Sequence, residues 1–134
     1  MHENPQATIH IDHIVLTSQQ IEISKVFYRD ILQFRITELS DGRVEAHFGL
    51  SKINLQPAGK HYGPPNSPKR SWNGNVCILT AQPIEEIIER LEHFNVEIED
   101  GPVKKIGALG PINSIYFRDP DGNLIELSNQ ISVK

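Results

Sequence analysis

The segment Leu16-Thr17-Ser18-Gln19-Gln20-Ile21-Glu22 returns later in the chain as Leu79-Thr80-Ala81-Gln82-Pro83-Ile84-Glu85. An apolar, strand-like run precedes each copy and a helical pattern follows it, so strand, turn and helix are stated twice. A second echo pairs Lys52-Ile53-Asn54-Leu55-Gln56 with Leu124-Ile125-Glu126-Leu127-Ser128, each closing its half of the chain. The repeat limits the chain to two copies of one small module.

Periodicity fills in each copy. Ile9 to Leu16 alternates, with Ile9, Ile11, His13 and Val15 on one side of a half-buried strand. The spacing of Val26, Phe27 and Ile31 predicts a helix from about Ile21 to about Leu32. Strands follow near Arg35 to Glu38, Val44 to Phe48 and Ile53 to Leu55, with Asp41-Gly42 turning between the first two. In the second half Val76 to Thr80 reads as a strand, and Pro83 suits a first helical turn. Ile84, Ile87, Ile88 and Leu91 form an amphipathic stripe, and strands follow near Val96 to Ile98, Ser114 to Arg118 and Leu124 to Leu127. Asp119-Pro120-Asp121-Gly122 makes the last turn. Gly101 to Gly110 reads as irregular; no helix start follows its glycines, so it is not a phosphate-binding fingerprint. The expectation is an α+β chain of two tandem βαβββ modules, their curved sheets forming a half-barrel with the helices on the convex side.

One domain is expected over 1–134, with module one at about 9–56, a crossover at 57–73 and module two at about 74–129. That crossover is rich in Pro, Gly, Ser and Lys and reads as a linker or a lid; Tyr62 and Trp72 there could cover an apolar ligand or anchor the loop. A net charge of −4 supplies no cationic field for nucleic acid. No apolar run is long enough to span a bilayer, and the N-terminus lacks the pattern of a signal peptide. The lone Cys77, in an apolar run, reads as a small buried hydrophobe and fits a reducing, cytoplasmic setting.

Alternation also says which side chains lie opposite the core. In the terminal strand Ile125 and Leu127 take the apolar face and leave Glu126 and Ser128 on the other; in its echo, Asn54 and Gln56 are left by Ile53 and Leu55. His13 and Glu126 are candidate metal ligands, since imidazole and carboxylate suit Zn, Fe, Mn or Ni. The bland reading sits beside this one: a hydrogen-bonded structural His, and an acid satisfied by a donor such as Arg118 or Arg43.

Ile11-Asp12-His13-Ile14-Val15-Leu16-Thr17, Phe48-Gly49 with Lys52-Ile53-Asn54-Leu55, and the block from Tyr116 through Arg118-Asp119-Pro120-Asp121-Gly122-Asn123 to Ser128 resemble the vicinal oxygen chelate superfamily. That group contains glyoxalase I, extradiol dioxygenases, fosfomycin-resistance enzymes and bleomycin-binding proteins. The nearest likeness is to its single-domain branch typified by glyoxalase domain-containing protein 5, over roughly residues 9 to 131. The resemblance implies up to four metal ligands, one on the first and last strand of each module. His13 and Glu126 match the first and fourth. The second falls on Asn54 or Gln56, and the third on Asn75, unless the Leu-Thr echo sets Val76 opposite His13.

It further implies a divalent metal (Zn, Ni, Mn or Fe) chelating adjacent oxygens of a small substrate in a glyoxalase-like lyase or isomerase, with Glu126 as the proton-shuttling catalytic group. Two other readings stand beside this one. A non-catalytic small-molecule binding protein of the bleomycin-resistance type needs no metal. An extradiol Fe(II) dioxygenase needs two His and one carboxylate, of which one His is plainly in place. His47 and His61 are possible supplementary ligands, and Lys60, Lys69, Arg70, Lys104 and Lys105 could attract an anionic substrate or simply be solvated charge. A homodimer is expected, and the central expectation is that His13 and Glu126 converge in one hollow.

Overall fold

The computed structural model describes residues 9–60, 62 and 74–133. Two compact units divide the chain, Met1–Ser71 and Trp72–Lys134. The first contains β1 (His13–Ser18), a helix α1 (Ile21–Val26) running on into a π-helical turn (Phe27–Ile31), β2 (Arg35–Glu38), β3 (Val44–Phe48) and β4 (Ser51–Pro57). The second contains β5 (Asn75–Leu79), α2 (Ile84–His93), β6 (Ile98–Gly107), β7 (Gly110–Arg118) and β8 (Leu124–Gln130). The chain is therefore α+β, with β-α-β-β-β stated twice.

Each unit builds one four-stranded mixed sheet in the same order, β1-β4-β3-β2 and β5-β8-β7-β6. The first and last strands of each unit run parallel, while the remaining pairs are antiparallel. A parallel pair needs a long connection, which the helix and the two intervening strands supply. In the first unit Leu16, Val44, Ala46, Ile53 and Leu55 are buried with Phe27, Tyr28, Ile31 and Leu32 of the helical segment. In the second, Ile78, Ile115, Phe117, Ile125 and Leu127 are buried with Ile84, Ile87 and Leu91 of α2. Each of the larger aliphatic and Phe side chains among these contributes roughly 1.5–3 kcal/mol by leaving water. Ile88, expected in the α2 stripe, is only half-buried.

Four local readings change. β1 starts at His13, and its buried side is Leu16 and Ser18, whereas Ile9, Ile11 and Val15 are exposed. The helix that periodicity draws straight to Leu32 widens at Phe27, where the Leu32 N–H donates to the Phe27 carbonyl five residues back. The wider turn shifts the phase, leaving Val26 exposed and burying Tyr28 completely. Pro83 is the N-cap residue, one position before the first turn of α2. The segment from Gly101 to Gly110 is not irregular but forms most of β6, the Ala108-Leu109 turn and the start of β7. Register shifts between Ile98 and Val103 break its alternation, which hid the strand.

Candidate functional site

With the helices taking one side of each sheet, the opposite side carries the chemistry. In the first unit that face holds His13, Val15 and Thr17 of β1 and Lys52, Asn54 and Gln56 of β4, paired His13↔Lys52, Val15↔Asn54 and Thr17↔Gln56. In the second it holds Asn75, Cys77 and Leu79 of β5 and Leu124, Glu126 and Ser128 of β8, paired in the same order. Compared strand for strand, Asn75 stands where the first sheet has His13, and Glu126 where it has Asn54. The Leu-Thr echo is thus one residue out of step: Leu16 is core, whereas Leu79 is 51% exposed on the helix-free face.

Glu126 is surrounded by donors from its own sheet. Ser114 Oγ on β7 donates to its Oε2 at 2.7 Å, Ser128 Oγ approaches the same oxygen at 3.4 Å, and the two hydroxyls lie 2.7 Å apart. Both serines are fully buried. Neither Arg118 nor Arg43 satisfies the acid, because Arg118 binds Glu99 and Arg43 binds Asp41. Cys77 and Tyr116 are the cross-strand neighbours of Glu126 on either side. Lys105 Nζ lies 5.8 Å from the Tyr116 ring centre. These groups line a cavity of about 440 Å³ that also includes Ile112 and Ala108.

Cys77 is an exposed residue on this face, not the buried hydrophobe that its sequence context suggests. Desolvation at the thiol pushes its pKa up, Ser128 opposes the shift, and the nearby Glu126 carboxylate adds to it. The same pair of causes, burial and then Glu126, raises the Tyr116 phenol. Both neighbours therefore keep their protons near neutral pH, and neither is a ready nucleophile.

On the first sheet, His13 Nδ1 lies 2.8 Å from Asp12 Oδ2, which leaves Nε2 as its outward nitrogen. A carboxylate on the far imidazole nitrogen is the usual support of a metal-bound His. Asn54 Oδ1 is buried without a hydrogen-bond partner. A buried amide oxygen with an unspent lone pair is costly unless something cationic or protic meets it, so the position suits an ion or a ligand. Gln56 is half-buried beside it on the same strand face, and Asn75 is exposed. His47 does not supplement His13: Lys52 stands between them in register, and His47 Nε2 is engaged by Glu45 at 3.2 Å. Among the described residues no three His, Cys, Asp or Glu side chains form a ready-made metal centre. His13 and the Asn54 amide on the first sheet, and Glu126 on the second, are each donors of a kind that a divalent cation accepts, the amide being the weaker.

Other sequence candidates have plainer roles. Tyr62 donates to the Asp41 carbonyl, with Arg43 over its ring. His61, Lys69, Arg70 and Trp72 lie outside the described residues. The Asp119-Pro120-Asp121-Gly122-Asn123 block is a structural clasp. Asp119 accepts from the backbone of Asp121 and Asn123 and from the Asn123 side chain, and Asn123 Oδ1 accepts from the Gly74 N–H at 2.7 Å. It thereby fixes the start of β5 against β8, and with them the register of Asn75 and Glu126. Periodicity gave no signal for Asn129, which accepts from the Ile84 N–H at the start of α2 and donates to the Thr80 and Gln82 carbonyls. Such a remote cap joins residues far apart in sequence.

Comparison with known proteins agrees with the fold. Residues 10–127 match the Glyoxalase/Bleomycin resistance protein/Dioxygenase superfamily. Virulence protein STM3117 of Salmonella typhimurium is 37% identical over 97% of this chain and 91% of its own. Its crystal structure superposes with a TM-score of 0.84, covering 92% of this chain and 98% of that one. A metallothiol transferase FosB of Staphylococcus saprophyticus is 31% identical over 87% of this chain and 74% of its own.

Proposed function

The chain belongs to the glyoxalase/bleomycin resistance/dioxygenase superfamily, and we propose that within it this protein is a divalent-metal-dependent lyase or isomerase acting on a small molecule with two adjacent oxygens. The observation that carries this reading is the register equivalence of His13 with Asn75 and of Asn54 with Glu126, all four on helix-free sheet faces. His13 and Glu126 are the strong donors, with Asn54, Gln56 and Asn75 as weaker ones, and the ion is Zn, Ni, Mn or Fe. When bound, such an ion supplies Lewis-acid polarisation of the two substrate oxygens.

This chain's own residues do the rest. Asp12 orients the His13 imidazole, and Ser114 and Ser128 hold the Glu126 carboxylate in one rotamer. Glu126 then takes a proton from the carbon beside a substrate carbonyl and returns it to the neighbouring carbon. The cavity lined by Ile112, Tyr116 and Cys77 seats a small molecule beside the Glu126 carboxylate. The protein works as a homodimer: among the described residues β1 and β5 each pair on one side only in their sheets, and an unpaired edge invites a partner.

The amides at Asn54 and Asn75 favour a second reading, a binding protein that holds its ligand without a metal. Metal analysis of untagged protein separates the two. About one equivalent of Ni, Zn, Mn or Fe(II), retained on desalting and lost in both His13→Ala and Glu126→Gln, supports the enzyme. Less than about a tenth of an equivalent in wild type, with no gain on adding metal, removes it.

A further inference from the structure

One cross-strand row of the first sheet is basic from edge to edge. Arg35 on β2 pairs with His47 on β3, His47 with Lys52 on β4, and Lys52 with His13 on β1, all on the helix-free face. Like-charged side chains directly opposite one another are unfavourable in a sheet unless an anion joins them. One carboxylate of the chain does so in part: Glu45 receives Lys52 Nζ on one oxygen and His47 Nε2 on the other, with its side chain 17% exposed. That contact fixes both side chains and leaves Lys52 with further N–H groups.

Arg35 is left over. Among the described arginines, Arg29 binds Asp30, Arg43 binds Asp41, Arg118 binds Glu99 and Arg90 binds Gln82, whereas Arg35 has no such acceptor. Arg35, His47 and Lys52 line a cavity of about 360 Å³ with Ser51 and Gly49. Asp12, on the same rim, is already engaged by His13 Nδ1 at 2.8 Å. The charge of the halves agrees: residues 1–71 hold 8 basic and 7 acidic side chains, net +1, while residues 72–134 hold 5 and 10, net −5.

We propose that Arg35, His47 and Lys52 form an oxyanion site on the first sheet, taking the carboxylate or phosphate group of a small molecule. Arg35 offers its guanidinium fork, Lys52 a point charge, and Glu45 is a positioning residue that keeps His47 and Lys52 upright. The site requires no metal and stands independently of the reading above.

The test is a titration of metal-stripped full-length protein with inorganic phosphate, and separately with succinate, followed by backbone amide shifts. Saturable shifts centred on Arg35, His47, Ser51 and Lys52 with either anion support the site and identify the oxyanion it prefers. Arg35→Gln then weakens binding about tenfold, while Lys104→Gln, an equal charge change in the other unit, leaves it unaltered. Shifts that stay linear to about 50 mM with both anions, or an Arg35→Gln protein that binds as wild type does, would overturn the proposal.

Discussion

Ser114 and Glu126 are joined by a 2.7 Å hydrogen bond on neighbouring strands β7 and β8, and the hydroxyl that donates is completely buried. Ser114→Ala removes that donor and leaves Glu126 Oε2 with the longer Ser128 contact at 3.4 Å. If Glu126 is a metal ligand, the variant binds metal about tenfold more weakly while folding normally, because ligand orientation is worth that much. Calorimetric titration of metal into both proteins gives the ratio; equal affinities would mean that the serine does not orient a ligand.

Ser114 also constrains the strand beside it. Gly101 sits at φ +97°, and a Cβ there would meet the Ser114 carbonyl oxygen at 2.2 Å. Gly101→Ala therefore costs about 2–4 kcal/mol, from the left-handed backbone and from pushing β6 off β7. Urea unfolding measures the loss, and a change under about 0.5 kcal/mol would show that β6 can move freely there.

The clasp at Asp119 to Asn123 predicts a purely structural phenotype. Asn123→Ala deletes the bonds to Asp119 and to the Gly74 N–H, both buried, and destabilises by about 2–3 kcal/mol. Since the same bonds set β5 against β8, amide exchange of Gly74 and Leu124 accelerates together in this variant. Loss of metal affinity with unchanged stability would assign the block to the site instead.

Glu45 gives a pH dependence with a definite sign. Lys52 first, and His47 after it, hold its carboxyl below the ordinary value of 4.5. A depressed acid stabilises the fold at pH values above its unfolded pKa, and that contribution is lost as pH falls through the folded value. Glu45→Gln is thus less stable than wild type by about 0.5–1 kcal/mol at pH 7, and the gap narrows as pH falls below 4.5. Denaturant titrations at pH 7, 5 and 3.5 check this; a gap that persists at the lowest pH points to packing, not charge.

The duplicated architecture was legible because it rests on local signals: the two echoes, the α2 stripe and the Asp-Gly turns all lie within a few residues of the structure they specify. What escaped was either non-local or left no mark in the apolar spacing. The π-turn at Phe27 shifts the helical phase, and no apolar spacing announces such a turn. β6 lost its alternation to register shifts, so a strand of lysines and glycines read as a loop. Alternation grouped His13 with Ile9, Ile11 and Val15, a side that the apolar residues suggested was half-buried and that the structure exposes, whereas the placement of Glu126 opposite the core followed from alternation alone. The partners of Glu126 did not, since Ser114 reaches it only once β7 and β8 are paired. The Leu-Thr echo pointed one residue away from the true equivalence of Asn75 with His13, because sequence similarity in a turn does not fix strand register.

That one ion is shared by His13 and Glu126 is the central claim, and a double-mutant cycle addresses it directly. Co(II) is titrated calorimetrically into wild type, His13→Ala, Glu126→Gln and the double variant. A shared ion predicts a single site in wild type, a loss of about tenfold or more in each single variant, and a double loss well short of the sum. Strictly additive losses, or a full-strength site surviving in either single variant, would contradict it.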